Sequence, residues 1–351
     1  MSNIIALTVP PRRQRLSERA EALIALFATQ RRLQDDVFWL KENAELLSIL
    51  ASTGTAASVG ALSPHGEFYA GLAERLRFFP QYYRFILSIG LDLEDLGLPG
   101  EQMEGLCHWV AQHGLPDAEL SDLQRAEARR LLARRGVRCA AADPGLDDRL
   151  RAFISRHQTF ALPNKKAAYE LTHIVFYLSE YGQRDPKLGA DALRSLEYAG
   201  ILAYLDQNID LLAEVCIALR QAGQSPAQTW IDAVRRSASS FSVMAEADSA
   251  GPDDYHEYLV TNWAMQALGT DTTSAAIPEG RAVFRCHETA GGALRGVSAA
   301  LFEAAQNRSA DWCRMRDYTF SLLDEDAAMV LEATVASTTE FEAFFEVFAR
   351  A

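Results

Sequence analysis

The sequence predicts an all-α protein of about fifteen helices, and three observations support this fold class. Apolar residues recur at a helical period along almost the whole chain, whereas the alternation typical of strands is nearly absent. Short turns between the helical segments indicate antiparallel pairs stacked side by side. Since no repeat of fixed period is present, we expect an irregular α/α superhelix or a toroid-like arrangement.

Helical periodicity and punctuation place the first-half helices in order. They are expected over 15–31, 37–50, 67–79 and 80–90, followed by two helices opened by Pro99 and Asp117, the latter ending at Gly136. Pro80 suits the first position of a helix because proline has no amide hydrogen to leave unpaired.

The second-half helices are longer and more apolar. We expect them over 146–157, 164–181, 189–204, 206–222, 226–246, 253–268, 279–306, 309–322 and 325–349. Asn164 is placed as an N-cap, Gly182 as a residue just beyond a helix end, and Ser225-Pro226 as a helix start.

Length and composition indicate a globular protein with a substantial core. The chain has 351 residues, of which 49% are hydrophobic and 23% charged, enough for one large domain or two ordinary ones. We expect a single helical domain over 1–351, with two halves, 1–140 and 141–351, meeting at the loop GVRCAAADPGL (136–146).

The net charge of −13 limits the classes of partner. Nucleic acids and anionic membrane surfaces both require a basic surface, so we expect neither as a partner. A small molecule or another protein stays open as the partner, and so does a homo-oligomer.

The cysteines and the N-terminus predict a cytoplasmic location. The five cysteines are widely scattered and form no CxxC pair, which is typical of reduced thiols. The apolar run Ile4–Val9 is too short for a signal peptide and is stopped by two prolines.

Polar side chains at buried helical positions suggest where chemistry could occur, because burying them costs free energy unless they are paired or useful. In KKAAYELTHIVFYLSEYG (165–182), a single helical stripe carries Tyr169, His173, Tyr177 and Glu180. This stripe could form an acid–base cluster or half of a metal site. The alternative is a core histidine satisfied by a carboxylate, with the tyrosines as core aromatics.

Three carboxylates recur at four-residue spacing in YLDQNIDLLAEVCIALRQAG (204–223), namely Asp206, Asp210 and Glu214. Asp210 and Glu214 lie inside a very apolar run, so they require partners. His173, an arginine or a metal ion could serve, and the alternative is a structural buried salt bridge.

His256 lies near the predicted start of a helix in DDYHEYLVTNWAMQALG (253–269), where Asp253 or Asp254 is expected to act as the cap. The positive end of the helix dipole is expected to lower the pKa of His256. Neutral imidazole is the form that acts as a base or a metal ligand. The alternative is an ordinary exposed histidine.

Together these segments predict a catalytic cluster in the second half of the chain, composed of His173, Tyr177, Asp210, Glu214 and His256. A divalent metal is one candidate cofactor, with His173, Glu214 and His256 as its ligands. No HExxH motif supports the metal, and no Walker A loop or GxSxG elbow is present.

A second candidate metal pair is Cys286 and His287, in RCHETAGGALRG (285–296). Over residues 286–294 this segment resembles the Cys-His-Gly segment of lanthionine cyclases, and the resemblance implies an α/α toroid with a Cys, Cys, His zinc site. The chain has Glu288 where that family has glycine, and it lacks the upstream Trp-Cys-x-Gly segment. Trp312-Cys313 lies downstream instead.

The whole chain resembles uncharacterised bacterial helical proteins. The resemblance rests on FWLKENAELLSIL (38–50), FFPQYYRFILSIGLDLEDLG (78–97) and ELTHIVFYLSEYG (170–182), which contains the Thr-His-x-x-Phe-Tyr segment at 172–177. It implies a bacterial helical protein and carries no catalytic residues.

Two functions remain open from the sequence. The first is a cytoplasmic enzyme or small-molecule or metal-binding protein with a polar pocket in the second half, and it requires the predicted cluster to converge. The second is a helical interaction scaffold or regulatory protein, which requires only a groove or an exposed apolar patch.

Overall fold

The computed structural model describes residues 14–138, 143–245, 253–270, 275–287 and 291–350, and within these ranges the chain is all-α. The first-half helices are α1 (Leu16–Thr29), α2 (Val37–Ser52), α3 (Val59–Leu62), α4 (Gly66–Ala70), α5 (Leu72–Phe78), α6 (Tyr83–Asp95), α7 (Met103–Gln112) and α8 (Asp122–Ala133). Short 3-10 turns cover Ser63–His65, Pro80–Tyr82 and Leu115–Ala118.

The second half continues the helical series and adds a small sheet. Its helices are α9 (Leu146–Ile154), α10 (His157–Phe160), α11 (Lys165–Leu178), α12 (Ala190–Leu205), α13 (Ile209–Gln221), α14 (Gln228–Ser240), α15 (Tyr255–Ala267), α16 (Leu294–Glu303), α17 (Trp312–Ser321), α18 (Glu325–Ser337) and α19 (Phe341–Ala349), with a 3-10 turn at Ala305–Asn307. Strands β1 (Ser242–Ala245) and β2 (Ala282–Arg285) pair antiparallel, with Ser242 opposite Arg285.

Three of the predicted helices are wrong in extent. The segment 226–246 leaves the helix at Ser240 and continues as β1, while 279–306 contains β2 before α16 begins at Leu294. The β2 sequence AVFR carries a β-branched and an aromatic residue, which favour a strand. The segment 325–349 is two helices, because the chain is extended at Thr338.

Helix α13 is the centre of the second half. It packs against α11, α12, α14 and α15, and every residue from Leu211 to Leu219 is buried. Burying a large aliphatic side chain contributes roughly 1.5–3 kcal/mol, so this run is a major source of stability. The carboxylate of Glu214 is held inside it.

The two predicted halves share one core. Buried apolar residues from Ala20 to Ala349 form a single cluster, and α2 packs against α15 while α8 packs against α9 and α11. The run Ile4–Val9, Cys139 of the predicted boundary loop, and Glu288 lie outside the described residues. None of the helices in the described ranges has the length and apolarity needed to cross a membrane.

Candidate functional site

Side chains from α2, α11, α13 and α15 meet in what we call the imidazole–carboxylate cluster. It consists of Glu45, Tyr169, Thr172, His173, Asp210, Glu214 and His256. Four of the five residues predicted from the sequence, His173, Asp210, Glu214 and His256, therefore lie together. The fifth, Tyr177, is a neighbour of His173 but lines a different cavity, described below.

His256 lies on the first turn of α15 and is held between two carboxylates. Its Nδ1 is 2.5 Å from Glu45 Oε1, and its Nε2 is 3.6 Å from Asp210 Oδ2. Burial alone would lower the pKa of His256, but the hydrogen bond with Glu45 and the charges of Glu45, Glu214 and Asp210 outweigh it and raise the pKa to about 9. His256 is therefore an imidazolium at neutral pH.

The predicted lowering of the pKa of His256 is wrong. A helix dipole supplies only a fractional charge, whereas Glu45 supplies a full carboxylate at hydrogen-bond distance. Asp254, one of the two predicted caps, occupies the N-cap position of α15, but its side chain makes no capping hydrogen bond and accepts from the Cys286 amide instead, while Asp253 binds Arg31.

Glu214 is the buried member of the cluster. The hydroxyl of Thr172 donates to Glu214 Oε2. Burial raises the pKa of Glu214, and the raise is partly offset by the charge of His173, the Thr172 hydrogen bond and the charge of His256. The cluster therefore contains a carboxyl group that holds its proton more tightly than usual, close to two imidazoles.

The tautomer of His173 follows from its hydrogen bond. Its Nδ1 lies 2.7 Å from the backbone oxygen of Tyr169, and because a carbonyl oxygen can only accept, Nδ1 carries a proton. Nε2 is thereby left for other contacts. The backbone carbonyl of α11 itself orients the ring.

Asp210 links three helices. It accepts a 2.7 Å hydrogen bond from the Tyr169 hydroxyl and faces Nε2 of His256. Burial and the adjacent carboxylate raise the pKa of Tyr169, so its phenol stays protonated and donates. Asp206 does not align with Asp210 as predicted, because it is the C-cap of α12; it lies outside the cluster and pairs with Lys165 at 2.9 Å.

Tyr177 faces away from the imidazole–carboxylate cluster. Its ring centroid is 6.1 Å from that of His173, yet the side chain lines a cavity with Arg130, whose guanidinium lies 5.9 Å from the ring. Burial raises the pKa of Tyr177 well above its usual range.

Cys286 and His287 have separate partners. Cys286 Sγ lies 3.5 Å from Ser240 Oγ and 3.7 Å from Ser237 Oγ, and His287 Nε2 lies 2.7 Å from Ser242 Oγ. In the part of the chain that the structure describes, no group of three or more histidine, cysteine, aspartate or glutamate side chains is arranged to hold a metal ion. The geometry therefore supports neither of the two predicted metal sites.

Sequence reasoning missed Glu45 and a neighbouring buried ion group. Arg31 Nε binds Glu42 Oε2 at 2.9 Å, and its Nη1 binds Asp253 Oδ2 at 2.8 Å, which joins α1 and α2 to the start of α15. The available indication was the pair of glutamates at positions 42 and 45, inside the otherwise apolar face of α2. His256, the partner of Glu45, and Asp253, the second carboxylate on Arg31, are each more than two hundred residues away from these residues in the chain, beyond the reach of local periodicity.

Comparison with known proteins assigns a family without an activity. No curated protein and no solved structure matches the chain. The family profile that does match covers residues 1–351. The chain thus belongs, over its whole length, to the family described as a domain of unknown function, DUF6902.

Proposed function

We propose that the protein binds a small polar molecule at the imidazole–carboxylate cluster and transfers a proton to it. The observation that carries this proposal is the setting of His256. Glu45 holds Nδ1, while Nε2 faces Asp210 at a partly open edge of the cluster, where 36% of the His256 side chain is exposed. A carboxylate that orients one ring nitrogen leaves the other for proton transfer.

The charges of the cluster assign the roles. His256, protonated at neutral pH, is the general acid, and Asp210 is placed to hold the ligand beside it. Carboxylates outnumber the imidazolium, so the cluster disfavours an anion, and the molecule that takes the proton is a neutral one whose amine nitrogen or hydroxyl oxygen accepts it from Nε2 of His256. Glu214 lies one turn beyond Asp210 on α13, and burial raises its pKa.

The location proposed for this activity is the cytoplasm. Cys107 and Cys216 are both buried and free, as expected for a chain kept in a reducing compartment.

The alternative, a helical interaction scaffold, is favoured by a different observation. Phe78 and Phe79 at the end of α5 are 75% and 41% exposed, and their ring centroids are 4.7 Å apart. Exposed aromatic pairs are typical of protein contacts. Size-exclusion chromatography with light scattering, with and without cell lysate, separates this function from ligand binding.

The test of the proposed function is a thermal-shift screen of small amines, polyols and sugars on the natural chain and on His256→Gln and Glu45→Gln. We expect compounds that stabilise the natural chain and lose this effect in both variants. His113→Gln is the matched control, since His113 is exposed at the end of α7 and stacks on Trp109.

Two measurements would contradict the proposal. One is an NMR titration in which His256 has an ordinary histidine pKa, and the other is a screen in which every stabilising compound acts equally on His256→Gln. Elemental analysis of untagged protein and of His173→Ala tests the divalent metal separately.

A further inference from the structure

A cavity of about 720 Å³ lies between α8, α9 and the end of α11. Its floor is apolar, with the buried side chains of Val137, Leu146, Leu150 and Leu178. This volume is in the range of small-molecule sites. The imidazole–carboxylate cluster contributes no side chain to its lining.

Arg130 in the wall of this cavity is an unusual buried charge. Its side chain is only 10% exposed, and among the described residues it donates no hydrogen bond. Glu180 Oε2, its ion-pair partner, is 3.8 Å from Nε and thus beyond hydrogen-bond distance. The guanidinium lies 4.5 Å from the ring centroid of Tyr181, which holds it in place without satisfying its donors.

Other buried arginines of the chain show what Arg130 lacks. Arg31 binds Glu42 and Asp253 directly, and Arg134 binds Asp92 and Asp95, each at 2.7 Å. Buried guanidinium groups are normally paired in this way. Arg130 thus has donors available for an acceptor that comes from outside the chain.

The charge of the lining favours an anion as that acceptor. The lining contains five arginines and four carboxylates, and these are Arg125, Arg129, Arg130, Arg138 and Arg184 and Asp117, Asp143, Asp147 and Glu180. Asp147 pairs with Arg129, and Asp143 pairs with Arg149 from outside the lining. The arginines of the lining are therefore in excess, and the single guanidinium of Arg130 suits one carboxylate group.

We infer that this cavity binds an amphipathic monocarboxylate, with its acid group on Arg130 and its apolar body on Leu146, Leu150 and Leu178. The guanidinium fork matches a carboxylate in a two-bond geometry. An inorganic anion would leave the apolar floor uncovered. Tyr177, predicted to act with the histidines, lines this site instead.

Calorimetry on the full chain with octanoate and 3-phenylpropanoate tests the inference. We expect at least one to bind, with at least tenfold weaker binding to Arg130→Met, and no comparable binding of acetate or octylamine. Arg220→Met is the control, because Arg220 is exposed on α13, outside the cavity. Without ligand, Arg130→Met is expected to be at least as stable as the natural chain, since the guanidinium that it removes is buried without a hydrogen bond.

A second variant keeps Arg130 and fills the space. Ala133→Phe adds a ring to the cavity wall at the end of α8 and is expected to weaken carboxylate binding. The inference is overturned if neither carboxylate binds, if Arg130→Met binds as tightly as the natural chain, or if acetate binds as tightly as octanoate. His256→Gln is expected to bind octanoate normally, so this site and the proposed acid–base site can fail separately.

Discussion

Two neighbouring ionic groups join α2 to the start of α15, and they differ in their access to solvent. In one, Glu42 and Asp253 form ion pairs with Arg31, and the three side chains are 5% exposed or less. In the other, Glu45 and Asp210 hold His256, and the exposed fractions are 17%, 22% and 36%. The same pair of helices thus carries a sealed ionic group that fixes their packing and an open one that a ligand can approach.

The sealed group should dominate stability, and Arg31→Met tests this. The variant leaves the buried carboxylate of Asp253 without its cation, and we expect a loss of about 3–5 kcal/mol in the free energy of unfolding. Urea denaturation measures it. Arg32→Met is the control: Arg32 binds the other oxygen of Glu42 but is 28% exposed, so its loss should stay below about 1 kcal/mol. Equal losses in the two variants would mean that the burial of Arg31 does not determine its contribution to stability.

Glu214 offers a test with the opposite sign, because its carboxyl group is buried beside the open group, within the imidazole–carboxylate cluster. A raised pKa means that the fold favours the protonated acid, so its stability contribution worsens as pH rises above the ordinary glutamate pKa. Glu214→Gln removes that cost and can still accept from Thr172. We expect a gain of roughly 0.5–2 kcal/mol at pH 7, together with loss of ligand binding.

The control for Glu214→Gln is Asp206→Asn, which alters an exposed ion pair with Lys165 and should change the unfolding free energy by less than about 1 kcal/mol. A strong destabilisation by Glu214→Gln would mean that Glu214 is a structural residue instead.

The sequence predicted the helical fold and part of the imidazole–carboxylate cluster for the same reason. Helical periodicity places Asp210 and Glu214 one turn apart on α13, and burial of that helix requires partners for both. The partners on α11, Tyr169 and Thr172, lie in a segment already marked by its polar residues. Local pattern and the cost of burying charge were therefore sufficient for this part of the cluster.

What the sequence could not predict depends on contacts between distant segments. Glu45 comes from the first half, outside the region where the cluster was predicted, and no periodicity relates it to His256. The same limit affected Tyr177, whose stripe on α11 is broad enough to face two different sites. The strand β2 was missed because its pairing with β1 is a tertiary contact.

The ion pair of His256 in the open group should make the free energy of unfolding depend on pH. This effect should be smaller than those of Arg31→Met and Glu214→Gln. Because the pKa of His256 is raised to about 9, the stability from its ion pair is fully present below the ordinary histidine pKa of 6.5 and is lost as pH rises through about 9. Since solvent screens this partly exposed pair, we expect a loss of only about 0.5–1 kcal/mol. The measurement is the difference in unfolding free energy between the natural chain and His256→Gln across this pH window.

In Glu45→Gln the loss should occur at lower pH, because the carboxylate that holds the proton on His256 is gone, whereas His113→Gln should follow the natural chain. A difference that stays constant with pH would mean that His256 is neutral in the fold and does not act as the general acid.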